Sequence, residues 1–256
     1  MIRCIMCTGI CSFRCSRLPE KLLMENNVET NLEKVPAKKK ATWITLRLIL
    51  ALVLFIATLV AFVGIADEIV LEHDTKFDQT IFLYVHSFVS PALTHFMEVI
   101  TFFGSAQFLF PAYSVLIILY LIRKKSRLAL DITMIGLSST GILFFLKDIF
   151  RRHRPVDPII NHVAGFSFPS GHSFSSFTFF GLLIYIAWHS EIKRSWKIAI
   201  AIVLIAFAAI IAFSRVYLRV HYASDILAGF CLSVVWLMLA LWLLHKADRG
   251  LATAKK

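Results

Sequence analysis

Six continuous apolar stretches dominate this sequence, and each is close to the roughly 20 residues that a helix needs to cross a bilayer. Inside lipid, backbone polar groups are satisfied only within helices or closed barrels. Because the apolar residues run continuously and do not alternate, the stretches predict helices. The expected fold class is therefore all-α, a bundle of six transmembrane helices. The predicted spans are Trp43–Ile65, Ala106–Ile122, Leu128–Leu146, Ser173–Trp188, Ile198–Phe213 and Ile226–Leu244.

Composition and charge support a membrane protein. The chain is 58% hydrophobic and only 17% charged, which excludes an ordinary soluble domain. Its formal net charge is +11, but the Lys and Arg residues concentrate in the segments before, between and after the spans on one side of the membrane. By the positive-inside rule that side is the cytoplasm. The charge therefore predicts a multi-pass protein of the cell membrane with both termini cytoplasmic, and no nucleic-acid partner.

The predicted domain organisation is simple. Residues 43–246 form one membrane-embedded domain, residues 1–42 a disordered cytoplasmic tail and residues 247–256 a basic cytoplasmic tail. Met24 opens an ordinary polar segment and is a second candidate start, which would leave residues 1–23 untranslated. Four cysteines crowd that leading segment without the second pair that zinc sites use, so no metal is expected. They are Cys4, Cys7, Cys11 and Cys15.

The first outer loop, residues 66–105, is the longest loop and is itself partly apolar. Its apolar part is interrupted at Pro91, which breaks any continuous span. We expect one or two short interfacial helices there, lying on the membrane and not crossing it.

Three polar clusters interrupt the apolar pattern. They are KDIFRRHRP at 147–155, PSGH at 169–172 and SRVYLRVHYASD at 214–225. Between the second and third clusters the chain crosses the membrane twice and so returns to the side that it left. All three clusters are therefore expected on one face, the extracytoplasmic one, where they can build a single active site.

The cations in these clusters suit phosphate. Lys147, Arg154 and Arg215 lie on the face that the positive-inside rule depletes of cations, which calls for another reason for their presence. Arginine matches phosphate oxygens with two donors, and lysine adds a point charge. Ser170 and Gly171 precede a helix, whose free N–H groups favour an anion. Arg152 and its neighbours are expected either to bind headgroups or to be solvated.

Two histidines complete a plausible reaction centre. His221 and Asp225 are four residues apart, which places them on one face if a helix begins there. The carboxylate would fix the tautomer of His221 and leave its other nitrogen free to attack. His172 is suited to protonate a leaving oxygen. These segments contain no cluster of carboxylates that would bind magnesium. No cofactor is expected.

The spacing Lys147-x6-Arg154-Pro155, Pro169-Ser170-Gly171-His172 and Ser214-Arg215-x5-His221-x3-Asp225 resembles the three-part signature of the type-2 phosphatidic acid phosphatase superfamily. Within that superfamily the sequence resembles the bacterial membrane branch, with phosphatidylglycerophosphatase B and undecaprenyl pyrophosphate phosphatases. The resemblance implies a metal-independent lipid phosphatase. His221 would carry the phosphoryl group, Asp225 would support it and His172 would protonate the departing group. Phosphate would be held by Lys147, Arg154, Ser170, Gly171 and Arg215.

Two alternatives stay open at this stage. A lipid-phosphate transporter or binder would use the cations without hydrolysis, and a haloperoxidase would hold vanadate in the same residues. For a phosphatase, undecaprenyl pyrophosphate, phosphatidylglycerophosphate and phosphatidate are all candidate substrates. The partners expected are that lipid and the bilayer, and the sequence leaves the oligomeric state open.

Overall fold

A computed structural model of the 256-residue chain describes residues 37–69, 75–160 and 164–254. Within these ranges it is helical and has no strand, which confirms the expected all-α class. In chain order the helices are α1 Ala37–Asp67, α2 Lys76–His86, α3 Pro91–Phe102, α4 Ala106–Ile122, α5 Ser126–Phe150, α6 Gly171–Trp188, α7 Arg194–Tyr217 and α8 Ala223–Ala254.

The structure shows helix ends inside both predicted tails, whose bounds as domains stay predictions. Helix α1 already begins at Ala37, so residues 37–42 are helical, and α8 continues to Ala254, well beyond residue 246. Alanine and lysine are good helix formers, which lets a spanning helix extend past its apolar stretch into water. The remaining predictions for residues 1–36, including the second start and the four cysteines, lie outside the described residues.

The chain divides into two units, residues 1–50 and residues 51–256. In its described part, the first unit contains the beginning of α1. The second unit contains the rest of α1 and all of α2 to α8, and everything below concerns it.

Within the described residues, five stretches are long and apolar enough to cross a membrane. One of them joins α3 to α4, and α6 is not among the five. Helix α6 begins with Gly171, His172 and Ser173, whose polarity lowers the mean hydropathy of a helix that is otherwise apolar. The chain is thus a multi-pass membrane protein, whereas the count of six spans stays a prediction. The stretches are Leu48–Asp67, Pro91–Ile122, Ser126–Phe150, Arg194–Tyr217 and Ala223–Ala247.

Helix α6 occupies the centre of the second unit and packs on both α7 and α8. Phe179 and Phe180 of α6 join Leu109 of α4 and Ile211 of α7 in one buried cluster. One turn further along α6, Leu182 is buried in a second cluster with residues of α5 and α8. Because aromatic side chains bury a large apolar area, these layers hold the four helices in fixed positions around α6.

The loop that was expected to hold one or two interfacial helices contains two, α2 and α3. They pack on the end of α7, where Tyr217 is buried in a cluster with Val85 and Met97. The Tyr217 hydroxyl lies 3.1 Å from the Ser90 nitrogen, which donates to it, and 3.1 Å from the Thr94 hydroxyl. A tyrosine at a helix end therefore fixes the segment that links α2 to α3.

Four helix ends meet at one end of this unit. The loop after α5 returns to the α7–α8 connection, where the Ile159 nitrogen donates to the Leu218 oxygen at 3.0 Å. The Ser170 nitrogen, just before α6, donates to the Asp225 oxygen in the first turn of α8 at 3.1 Å. These bonds bring the end of α5, the start of α6, the end of α7 and the start of α8 together.

Candidate active site

The first cluster lies where α5 ends. Arg151 follows the helix in the left-handed conformation, with φ 44°, which turns the chain out of the helix and back over the bundle. Lys147, in the last turn of α5, donates to the Phe166 oxygen at 2.6 Å. The lysine is thereby held against the loop that leads into α6.

Arg154 links the first cluster to the third. Its Nε donates to the Gly165 oxygen at 2.9 Å, and its Nη1 donates to the Val220 oxygen at 2.8 Å. The same Nη1 lies 3.2 Å from Nε2 of His221. The guanidinium is thus fixed beside the ring nitrogen that the sequence analysis expected to attack.

The second cluster forms the start of α6. Ser170 is the N-cap residue, and its hydroxyl accepts a hydrogen bond from the Ser173 nitrogen at 3.5 Å. At Gly171 an added Cβ would lie 3.2 Å from Cδ2 of Leu143, so glycine fits closely against α5. The amino end of α6 carries backbone donors and the positive end of the helix dipole, which suits an anion.

The histidine and aspartate of the third cluster form a pair. Nδ1 of His221 lies 3.3 Å from Oδ2 of Asp225, and the Tyr222 nitrogen donates to the same oxygen at 3.0 Å. Both side chains are buried, with His221 2% exposed and Asp225 0% exposed. Burial is the largest influence on His221 and lowers its pKa to about 4, against the opposing effect of Asp225. The imidazole is therefore neutral at physiological pH, as a nucleophile must be.

Arg215 is the most deeply buried of the three predicted phosphate cations, at 3% exposed. Its Nη1 donates to the Thr101 hydroxyl of α3 at 2.8 Å. Its Nε is buried and has no hydrogen-bond partner among the residues that the structure describes. Sequence reasoning missed Thr101, because an uncharged residue inside an apolar stretch carries no signal of a site.

The predicted residues lie near one another in the structure. Burial is the largest influence on the His172 imidazole, and the Arg215, Arg154 and Lys147 cations act with it to hold the pKa of His172 well below its usual range. Three cations and two imidazoles thus lie near the amino end of α6, an arrangement that suits an anion and the transfer of a proton to or from it. Within the described residues, no group of three or more His, Cys, Asp or Glu side chains is placed to bind a metal ion.

Arg152 differs from both expectations, because it neither faces a headgroup nor is solvated. Its side chain is 11% exposed and forms ion pairs with two buried carboxylates, Asp225 at 2.6 Å and Asp78 at 2.8 Å. Asp78, in α2, was not predicted to lie at the site. Its partners are more than seventy residues away in the chain, so no local pattern indicates the contact.

A cavity of about 360 Å³ opens from the pocket between α4 and α5. Gly171 and His172 line one end of it, and Ile117 and Thr133 line another part. The wall is predominantly apolar, with side chains such as Leu109, Phe110, Leu137, Leu143 and Phe144. The shape and lining suit a hydrocarbon chain attached to the anion.

Comparisons with known proteins identify relatives of this chain. A family model described as the PAP2 superfamily matches residues 128–249. Phosphatidylglycerophosphatase B of Bacillus subtilis (strain 168) is 29% identical over 146 residues, 57% of this chain and 72% of that protein. The putative undecaprenyl-diphosphatase YbjG of Escherichia coli (strain K12) is 32% identical over 139 residues, 49% of this chain and 66% of that protein.

A solved structure shares the fold. The crystal structure of a transmembrane PAP2 type phosphatidylglycerolphosphate phosphatase from Bacillus subtilis superposes with a TM-score of 0.68 and 27% identity. The superposition covers 75% of this chain and 96% of that one. The family resemblance expected from the three motifs is confirmed, since the matched residues 128–249 include all eight predicted site residues. This chain therefore contains a PAP2 superfamily domain.

Proposed function

We propose that this chain is an integral membrane phosphatase that hydrolyses a phosphomonoester or pyrophosphate of a membrane lipid through a phosphohistidine intermediate. The observation that carries the proposal is the placement of His221. One of its ring nitrogens lies 3.3 Å from the Asp225 carboxylate, and the other lies 3.2 Å from the Arg154 guanidinium. A bound phosphate would draw the guanidinium donors onto its own oxygens, which frees Nε2 of the neutral imidazole to attack phosphorus beside a cation.

Binding precedes chemistry. The phosphate oxygens would be held by Lys147, Arg154 and Arg215 and by the backbone donors at Ser170 and Gly171. Phosphoryl transfer spreads negative charge over the oxygens around phosphorus, so fixed cations stabilise the transition state more than the ground state. The lipid tail would extend into the cavity between α4 and α5.

The first step transfers the phosphoryl group to the protein. Nε2 of His221 attacks phosphorus and forms a P–N bond, while the P–O bond to the lipid breaks. Burial and the nearby cations disfavour a protonated His172, and the negative charge of a bound phosphate would offset them, so that His172 carries the proton. His172 gives this proton to the departing oxygen, which leaves as an alcohol or, from a pyrophosphate, as a lipid phosphate. The Nδ1–H of His221 stays hydrogen-bonded to Asp225, whose negative charge stabilises the phosphorylated ring.

The second step releases inorganic phosphate. His172, now neutral, accepts a proton from a water molecule as the water oxygen attacks phosphorus. The P–N bond breaks, and its electron pair returns to Nε2 of His221. Both histidines then have their starting protonation states, and the products are inorganic phosphate and the dephosphorylated lipid.

The substrate class is proposed from the relatives and the cavity. The names of the two relatives refer to phosphatidylglycerophosphate and undecaprenyl diphosphate. An apolar cavity of about 360 Å³ accommodates part of an acyl or prenyl chain. Undecaprenyl pyrophosphate, phosphatidylglycerophosphate and phosphatidate are accordingly the substrates to test first.

The topology belongs to the same proposal. We count α3 as an interfacial helix and α4 as a spanning helix. The chain then crosses the membrane six times, and both of its ends lie in the cytoplasm. The pocket then opens on the outer face, at the boundary between headgroups and hydrocarbon. A cysteine introduced at exposed Val156, beside the pocket, should react with a membrane-impermeant maleimide in intact cells.

One assay tests the activity. The purified protein in detergent is given the three lipids in excess chelator, and inorganic phosphate is measured beside a His221→Ala variant. We expect phosphate release by the unchanged protein and background release by the variant, because the attacking nitrogen is absent. Full activity in His221→Ala would refute the mechanism. Lipid binding or transport without phosphate release would favour the transporter alternative.

A further inference from the structure

Asp78 is a buried carboxylate outside the family domain. It lies in the first turn of α2, is 2% exposed and sits fifty residues before residue 128, where the family match begins. A charged group in such a position costs several kcal/mol unless it is paired and hydrogen-bonded. The groups that pair with Asp78 therefore indicate its role.

Two of the groups that bond to Asp78 belong to Ser224, at the start of α8. Oδ1 of Asp78 accepts a hydrogen bond from the Ser224 nitrogen at 2.9 Å, and Oδ2 accepts one from the Ser224 hydroxyl at 2.6 Å. The first N–H groups of a helix have no partner within the helix. Asp78 is such a partner for the Ser224 N–H, although it lies in a different helix. Helix α2 thereby fixes the turn of α8 that carries Asp225.

The third partner is Arg152, which bridges Asp78 to Asp225. Its Nη2 donates to Asp78 at 2.8 Å, while its Nη1 donates to Oδ1 of Asp225 at 2.6 Å and to the Ser224 hydroxyl at 2.9 Å. The guanidinium carbon lies 3.9 Å from the centre of the Tyr222 ring, which supports it from one side. A planar guanidinium with several fixed donors suits this bridge, and a lysine cannot reproduce it.

The bridge fixes the orientation of the Asp225 carboxylate towards His221. Oδ1 is occupied by Arg152, and Oδ2 is left to face Nδ1 of His221 and the Tyr222 nitrogen. Rotation of the carboxylate would break the bond to Arg152, so the orientation is held from both sides. The position of the His221 ring thus depends on a chain of contacts that starts at Asp78.

We propose that Asp78 and Arg152 are positioning residues for the nucleophile, which act through Asp225 and do not touch the substrate. This inference rests on the proposed function. It assigns a role in catalysis to α2, a helix that lies outside the matched family domain. The competing explanation is that the same contacts merely hold α2, the loop and α8 together.

The experiment compares Arg152→Lys and Asp78→Asn with the unchanged protein. Arg152→Lys keeps the charge but loses the bridging geometry. Asp78→Asn keeps an acceptor for the Ser224 nitrogen but loses the ion pair, and it serves as the milder variant if Arg152→Lys does not fold. The matched controls are Asp148→Asn and Arg151→Lys, a pair at the same 2.8 Å distance with side chains 72% and 65% exposed.

Four quantities are measured: kcat, KM, the dissociation constant of orthovanadate and the apparent Tm. We expect kcat to fall on the order of 100-fold in both variants, because displacing a reacting group by about 1 Å has an effect of that size. KM and vanadate binding should stay within about twofold, since the phosphate cations are untouched. The two control variants should match the unchanged protein in all four.

A double-mutant cycle separates positioning from simple packing. If Arg152 acts through Asp225, Arg152→Lys should cause no further loss of kcat in an Asp225→Asn background. The inference is overturned if both variants keep kcat within about twofold. It is also overturned if kcat, vanadate binding and Tm all fall together. The same holds if the losses of kcat caused by Arg152→Lys and by Asp225→Asn multiply in the double variant. Failure of the proposed function would be seen separately, as an unchanged protein that releases no phosphate, and would overturn both proposals.

Discussion

Gly104 lies directly against the ring of His172. A Cβ added at this glycine would be 3.1 Å from Cδ2 of His172, 2.9 Å from Oγ of Ser176 and 2.5 Å from Cγ2 of Ile211. The turn between α3 and α4 therefore approaches His172 this closely only because residue 104 has no side chain. This close approach limits where the imidazole of His172 can lie.

Gly104→Ala should consequently reduce both stability and turnover. Overpacking a close contact costs about 1–3 kcal/mol, and relief of the clash would displace His172 or α7. We expect a lower apparent Tm together with a lower kcat, measured by thermal unfolding in detergent and by phosphate release. Gly141→Ala, within α5, is the control, because a Cβ there meets no atom within 4 Å. Equal behaviour of the two variants would contradict the proposed contact.

Thr101→Val should weaken phosphate binding through Arg215. The substitution keeps the shape of the side chain but removes the acceptor that lies 2.8 Å from Nη1 of Arg215. A hydrogen bond to a charged group contributes about 1.5–3 kcal/mol, so the inhibition constant of vanadate should rise at least about tenfold. Thr101→Ser retains the oxygen and should behave like the unchanged protein. A vanadate constant that does not move in Thr101→Val would show that Arg215 needs no such support.

The pKa of His221 predicts a specific pH dependence of stability. Burial lowers this pKa to about 4, from an ordinary value of 6.5. Between these two pH values the unfolded chain binds a proton that the folded chain does not, so stability falls as the pH is lowered from 6.5 to 4. His221→Asn cannot titrate and should lack this component. The apparent Tm of both proteins is measured from pH 7.5 to 4.5. The difference in Tm between the unchanged protein and His221→Asn should become smaller as the pH falls, and a constant difference would contradict the prediction.

Thr133→Trp should discriminate between long and short lipid tails. Thr133 lines the cavity on α5, several turns from Lys147 at the phosphate end of the same helix. A large side chain there would fill the deeper part of the cavity and leave the phosphate cations unchanged. We expect KM to rise for a long-chain lipid phosphate and to stay constant for a short-chain analogue, both assayed by phosphate release. An equal rise for both would place the tail elsewhere.

Much of the architecture follows from hydropathy alone. Each of the six predicted stretches lies within a helix, because a continuous apolar run in lipid has no other stable conformation. The meeting of the three polar clusters follows from counting crossings, since two crossings return the chain to the same side. The limits of the helices do not follow, as Ala37 and Ala254 show, because a helix can continue into water without any apolar residue to mark it.

The site was only partly predictable for a related reason. His221 and Asp225 are close in the chain, so helical spacing indicates their contact. Arg152 and Asp78 are far apart and lie in segments that would ordinarily be solvated, and their ion pair is created by the packing of α2 on α8. Thr101 is likewise placed by the turn at Gly104. Contacts of this kind depend on tertiary packing, which no local pattern encodes.

The contact between Asp78 and Ser224 spans 146 residues of the chain. During synthesis, α2 is therefore made long before Ser224, which donates to Asp78. The five helices α3 to α7 are made in between. A nascent chain that ends before α8 lacks both Ser224 and Asp225, so the orientation of His221 proposed above cannot be established until α8 has begun.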